Sequence, residues 1–175
     1  MPTQIVARAL KIIEEDTSKI LGLALEKHAN IQPGQLIPKA DAATPPELQF
    51  AAASPDKSYI AICLDLDAPF ASIPFASPIN HWTQSGFRLS TSAGNGRLET
   101  SDPFIVNWAP PGPPPISGPH RYLFALYEEP SGFDVKSLAP GKEVGIPPRF
   151  RYNVDAWARS IGLGHVLAAN YFRSK

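Results

Sequence analysis

Cysteine is almost missing from this chain. Cys63 is the only one among 175 residues, which excludes a disulfide framework within the chain and points to a reducing compartment. It sits in the apolar run Tyr59-Ile-Ala-Ile-Cys-Leu64 with no base beside it, so a buried, inert thiol is expected rather than a nucleophile. Net charge is missing as well, because 16 basic residues balance 16 acidic ones. Nucleic-acid binding and firm adhesion to anionic membranes both draw on a basic excess, and neither is expected. No apolar run approaches the ~18 residues of a membrane-spanning helix. Residues 1–16 hold Glu14, Glu15 and Asp16 instead of the continuous apolar stretch of a secretory signal. The expectation is a cytoplasmic protein with no transmembrane segment.

Proline, by contrast, is abundant. Average usage is about 5%, and 20 prolines in 175 residues is roughly twice that. Proline breaks helix interiors and central strands, so long extended loops with ring-fixed shapes must separate the regular elements. A hydrophobic fraction of 43% against 18% charged residues is nonetheless that of a folded globular chain. No internal repeat or inner linker interrupts it. The expectation is one domain over residues 1–175, with residues 1–20 as an N-terminal helical extension.

Ile5, Ala9, Ile12 and Ile13 recur at helical spacing, which predicts an amphipathic helix over residues 4–15. Residues 16–57 read as irregular, with short strands over 22–27 and 48–52. Residues 58–64 form the first strong strand, apolar on both faces and therefore central. It runs into Asp65-Leu-Asp-Ala-Pro69, then a proline-bearing loop over 70–79. Further strands are predicted to open at Asn80-His81-Trp82-Thr83, over 104–108 and over 120–128. The run Ala109-Pro-Pro-Gly-Pro-Pro-Pro115 between the last two is a stiff loop. Residues 153–161 read as a short helix capped by Asn153 and stopped by Gly162. Residues 166–172 fit a strand or a helical turn equally well.

Chemistry-bearing residues collect where strands meet these stiff loops. Asp65, His81 and His120 all stand at such junctions, the setting in which rigid scaffolds present function. A carboxylate beside an imidazole is expected to raise the imidazole pKa and fix its tautomer, leaving protonated histidines to donate to an anionic oxygen. Asp65 and Asp67 could form half of a metal site, but no further hard ligands cluster nearby, so neither metal nor cofactor is expected. Arg121 has the opposite strand parity to His120 and is expected in a structural ion pair.

Taken in order, Asp65-Leu-Asp-Ala-Pro69, His81-Trp82, Gly112-Pro-Pro and Gly118-Pro-His-Arg-Tyr122 resemble the motifs of the phosphatidylethanolamine-binding protein family. The resemblance extends over roughly residues 20–175. Leu66 stands where the family usually has proline, and Asp-Leu-Asp-Ala-Pro-Phe is similar to some fungal members. The resemblance implies a mainly β (α+β) fold, an antiparallel β-sandwich with a few peripheral helices. It also implies a small pocket for phosphate, phosphorylethanolamine or a carboxylate, lined by Asp65, Ala68, Pro69, His81, Gly112, Pro113, His120 and Tyr122. Asp67 and Arg121 would brace its loops. The apolar segment around Phe70, Ile73 and Phe75 suggests a rim suited to a hydrocarbon body.

Two functions follow from the resemblance. The first is a binding module for small anions or phospholipid head groups, with regulation of a kinase or protease partner as a further role the resemblance implies. The second is an enzyme, since similar fungal proteins accompany polyketide pathways that couple maleic-anhydride-type units. There His81, His120 and Asp65 would be the catalytic set.

Overall fold

The computed structural model describes residues 3–175. In chain order the elements are α1 (Gln4–Glu15), β1 (Gly22–Ala24), β2 (Leu36–Ile37), β3 (Glu47–Gln49), β4 (Tyr59–Asp65), β5 (Ile79–Leu89), β6 (Arg97–Glu99), β7 (Phe104–Val106), β8 (His120–Glu128), α2 (Val135–Leu138), α3 (Val154–Ser160) and β9 (Ala168–Ser174). The strands hydrogen-bond in the order β1-β3-β6-β5-β4-β8-β9-β2, with β7 also on β5. β5 serves two layers. Its first residues pair with β4 and β7, and its last two, Arg88 and Leu89, pair with β6. Gly86, at φ 71°, lies where the strand changes partners, a conformation that costs glycine little.

The result is the expected β-sandwich with a few peripheral helices. One pairing departs from the antiparallel expectation: β2 runs parallel to β9, because an early two-residue segment reaches this edge through loops rather than a hairpin.

β4 explains the layering. Its seven residues are all buried, so both of its faces need cover. Tyr59, Ala61 and Cys63 point toward the small sheet and pack in one core with Leu23, Leu48, Leu98, Phe124 and Phe172. Ile60, Ile62 and Leu64 point the other way and pack with Ile5, Val6 and Ala9 of α1 and Val154 and Ala158 of α3. α1 spans the residues its periodicity predicts. Its buried side chains Ile5, Val6 and Ala9 contribute to the second core. The first two residues of the expected 1–20 extension lie outside the described residues. Residues 168–174 resolve as a strand seated between β8 and β2. No helix among the described residues is long and apolar enough to cross a membrane.

Candidate anion-binding site

Three adjacent strands bring the candidate residues together. Asp65 ends β4, and its register partners are Tyr122 on β8 and Ile79 on β5. Tyr122 and His120 share a strand face, so both stand beside the Asp65 carboxylate. His81 arrives by a different route. Cys63 pairs with Trp82 while Leu64 pairs with Asn80, so His81 is the extra residue of a β-bulge. A bulge breaks strict alternation and re-aims a side chain. Here it brings the imidazole edge-on to the Tyr122 ring, with centroids 5.0 Å apart at 85°.

The hydrogen bonds give the two histidines different work. His120 Nδ1 lies 2.8 Å from Asp65 Oδ2, and its Nε2 lies 2.7 Å from Ser117 Oγ and 3.1 Å from the Pro69 carbonyl. Ser117 in turn donates to the Gly118 carbonyl at 2.8 Å. Both ring nitrogens of His120 are thus occupied within the protein, one of them on Asp65. His81 is anchored at one nitrogen only. Nδ1 donates to the Ala109 carbonyl at 2.7 Å, while Nε2 stands 3.9 Å from Asp65 Oδ2, beyond hydrogen-bond reach.

Burial pushes the His81 pKa down, the Ala109 bond and Asp65 pull it back, and the charges of Arg149 and His120 add to the lowering. The expected upward shift from a neighbouring carboxylate is therefore overturned at His81. The Asp65 oxygen is too far for a direct bond, and desolvation wins. Tyr122 is fully buried; its hydroxyl lies against the Asp65 carboxylate and the Gly112 backbone but makes no well-formed hydrogen bond. Burial and the Asp65 charge push that phenol far above its usual range, with the Gly112 backbone beside it.

The remaining expected residues fall around this group. Ala68 is buried with its N–H donating to Ser77 Oγ at 2.8 Å, Pro69 supplies the carbonyl to His120, and Pro113 is buried. Gly112 is exposed, and a Cβ there would meet no atom within 4 Å, so its backbone can be approached closely. Asp67 is almost fully buried and accepts from Arg121 N, Nε and Nη2 at 2.8, 2.9 and 2.7 Å. This is the expected loop brace. Burial alone pushes the Asp67 carboxyl up, but the Arg121 hydrogen bonds and charge together hold it below the usual range. Asp65 Oδ2 lies 2.8 Å from His120 Nδ1, and its Oδ1 accepts from the Asp67 N–H at 2.8 Å.

Two residues of the site carried no signal in the sequence. Ser117, buried on His120, is a serine in a proline-glycine loop. Arg149 is 5% exposed and donates to the carbonyls of Asn80, His81, Asn107 and Val144 and to Asn107 Oδ1. It clamps the bulge that presents His81, yet no periodicity separates it from the other arginines. Leu66 packs on the α1 side with Ile5 and Val6, facing away from the imidazoles. Ile73 and Phe75 are 60% and 70% exposed. Three clefts of about 450 Å³ lie elsewhere, one of them between α1 and Leu66, and none is lined by Asp65, His81, His120 or Tyr122.

The model of the family described as phosphatidylethanolamine-binding protein matches residues 27–172. The chain belongs to this family. Among its relatives, the Protein BROTHER of FT and TFL 1 of Arabidopsis thaliana is 31% identical over 114 residues, covering 65% of this chain and 56% of that protein. The chain thus spans little more than half the length of that relative. The carboxypeptidase Y inhibitor of Saccharomyces cerevisiae is 24% identical over 89% of this chain and 83% of its own length. Solved structures agree on the fold. The carboxypeptidase Y inhibitor in complex with its cognate proteinase superposes with a TM-score of 0.73 at 24% identity, covering 90% of this chain and 83% of that one. A phosphatidylethanolamine-binding protein from Plasmodium vivax gives 0.68 at 17% identity, covering 89% and 84%. The family supports a ligand-binding role in general terms.

Proposed function

We propose that the chain binds a small oxyanion, such as phosphate, phosphorylethanolamine or a carboxylate, between His81, Tyr122 and the Gly112 backbone. The observation that carries this reading is the Tyr122 hydroxyl. Beside Asp65 and Gly112 it makes no well-formed hydrogen bond, so it bears part of the roughly 1–3 kcal/mol that an unsatisfied buried donor costs, and an arriving acceptor recovers that part. Asp65 and His120 support the site from behind by fixing one wall. The family name points to the same head-group chemistry. Regulation of a kinase or protease partner is a finer version of this reading, in which the exposed Ile73 and Phe75 would be part of what the partner meets.

A ligand that binds only the native state raises the melting temperature, by an amount equivalent to about 2.7 kcal/mol at a hundred times Kd. Wild type should be stabilised by phosphate or phosphorylethanolamine. Tyr122→Phe should be at least as stable when unliganded and should lose most of that gain. An unmoved wild type, or an equal gain in Tyr122→Phe, would sink the reading.

One observation favours a second reading. The unbonded His81 Nε2, in a buried setting that keeps the ring neutral, is a usable general base. Proton abstraction from an anionic maleic-anhydride-type unit would draw on it. Turnover of a substituted maleate by wild type and its loss in His81→Gln separates catalysis from binding.

A further inference from the structure

A cleft of about 450 Å³ opens between the start of α1 and the loop that follows β4. That volume lies within the range of small-molecule sites, about 300–1,000 Å³. Its walls are mostly apolar: Val6 and Leu10 from α1, Leu66 after β4, and Pro74 and Pro78 from the proline loop. Ile73 and Phe75, on either side of Pro74, are exposed, so apolar surface continues past the rim. Arg121 is the charged side chain among the described lining residues. Arg121 and Tyr122 are successive residues of β8, so the cleft and the His81 site lie on opposite faces of that strand.

The positive features of this cleft are already matched by negative ones. Arg121 grips Asp67 through Nε and Nη2. Burial raises the Asp67 carboxyl, yet the Arg121 hydrogen bonds and charge hold it below its usual range, so the pair is ionised and neutral overall. The start of α1 is matched too. Gln4 N and Ile5 N donate to Asp155, and Val6 N donates to Thr3 Oγ1. A carboxylate entering here would lose water and meet no uncompensated positive charge. Arg121 nevertheless keeps donors to give. Its side chain is 41% exposed, and the fork on Asp67 leaves out the two N–H groups of Nη1.

We propose that this cleft binds an uncharged single-chain acyl compound, an ester or a ketone. The hydrocarbon body lies on Val6, Leu10 and Leu66, and the carbonyl oxygen accepts from Arg121 Nη1. Leu66 stands where the family usually has proline, so this wall is a feature of this chain. The site is separate from the anion site proposed above and does not rest on it.

The test is an NMR titration at pH 7 of the full chain, labelled with carbon-13 at its methyl groups. The ligands are methyl octanoate, octanoate, octylamine and dihexanoyl phosphatidylcholine, each below its micelle concentration. Methyl octanoate should shift the Val6, Leu10 and Leu66 methyls to saturation. Octanoate and octylammonium, which must shed water from a charge, should bind at least about tenfold more weakly. Leu10→Trp fills the cleft from its rim and should abolish the shifts while the rest of the methyl spectrum stays native. Arg121→Lys keeps a cation for Asp67 without the second amino group, and should weaken the ester by about fivefold or more. Octanoate bound as tightly as the ester overturns the choice of an uncharged ligand. Tighter binding of the two-chain phosphatidylcholine overturns the single-chain assignment. Shifts that grow with protein concentration alone mean that a second copy covers the cleft, and overturn the proposal. So do undiminished binding by Leu10→Trp, shifts confined to residues around His81, and the absence of any shift.

Discussion

At the scale of single residues, the two carboxylates of the Asp65-Leu-Asp67 segment show how burial decides what a charge is worth. Asp67 has 3% of its side chain exposed, whereas its partner Arg121 has 41%. Removing Arg121 strands a carboxylate that water cannot reach, while removing Asp67 frees a guanidinium that water can partly solvate. Arg121→Ala should therefore destabilise the fold by about 2–4 kcal/mol, and Asp67→Asn by less, as read by urea denaturation at pH 7. The reverse order would show that the ion pair is not what holds this loop. Because the Asp67 pKa is depressed in the fold, its contribution is present above the unfolded carboxyl value of about 3.9 and is lost as pH falls below it.

His81 gives a second pH signature. Its folded pKa is lowered, so the unfolded chain binds the extra proton first, and stability contributed by neutral His81 is lost as pH falls below about 6.5. The difference in stability between wild type and His81→Gln should shrink by up to one proton's slope between pH 7 and pH 5. A pH-independent difference would show that His81 is not held neutral by the fold.

At the scale of elements, α1 is held at its start by a residue far along the chain. Asp155, in the first turn of α3, accepts from Gln4 N at 2.8 Å and Ile5 N at 3.0 Å. It joins the Thr3 cap on Val6 N in satisfying the open end of the helix. Loss of a helix cap typically costs about 1 kcal/mol. Asp155→Ala should lower stability by that order and speed amide exchange in α1 ahead of β4 and β8; uniform exchange would mean that the contact adds nothing local.

The elements also show what the sequence could reveal. α1 and α3 declared themselves by helical spacing and an Asn153 cap, β4 and β8 by apolar runs. β9 did not, because Ala168, Ala169 and Asn170 carry no clear period. Asn170 is buried only because its side-chain amide donates to the Leu21 and Ile31 carbonyls, partners no local pattern reveals. The two-residue β2 and three-residue β6 are too short for periodicity to register. Of the candidate site residues, Asp65, His120 and Tyr122 stand in motifs the sequence displays, and the strand register brings them together. The separate roles of the histidines were not legible, since the bulge at His81 and the insertion of Ser117 and Pro69 onto His120 arise from tertiary contacts.

At the scale of the whole molecule, Cys63 reports on cooperativity. It lies at the centre of β4 with no exposed surface, and burial raises its thiol pKa well above the ordinary value. A thiol reagent should reach it only when the sandwich opens, so labelling should be slow in the native state and should accelerate with urea in step with global unfolding. Rapid labelling in buffer alone would mean that the sheet opens locally.

The strand order carries one further consequence, for synthesis. β9 lies between β8 and β2, yet about forty residues separate the end of β8 from its start. Ribosomes add roughly 5–20 residues per second, so β8 emerges several seconds before the partner that covers its free edge. During that interval an apolar strand with open backbone donors and acceptors is exposed to its neighbours on the polysome. Crowded translation is therefore a condition under which this chain is exposed to aggregation.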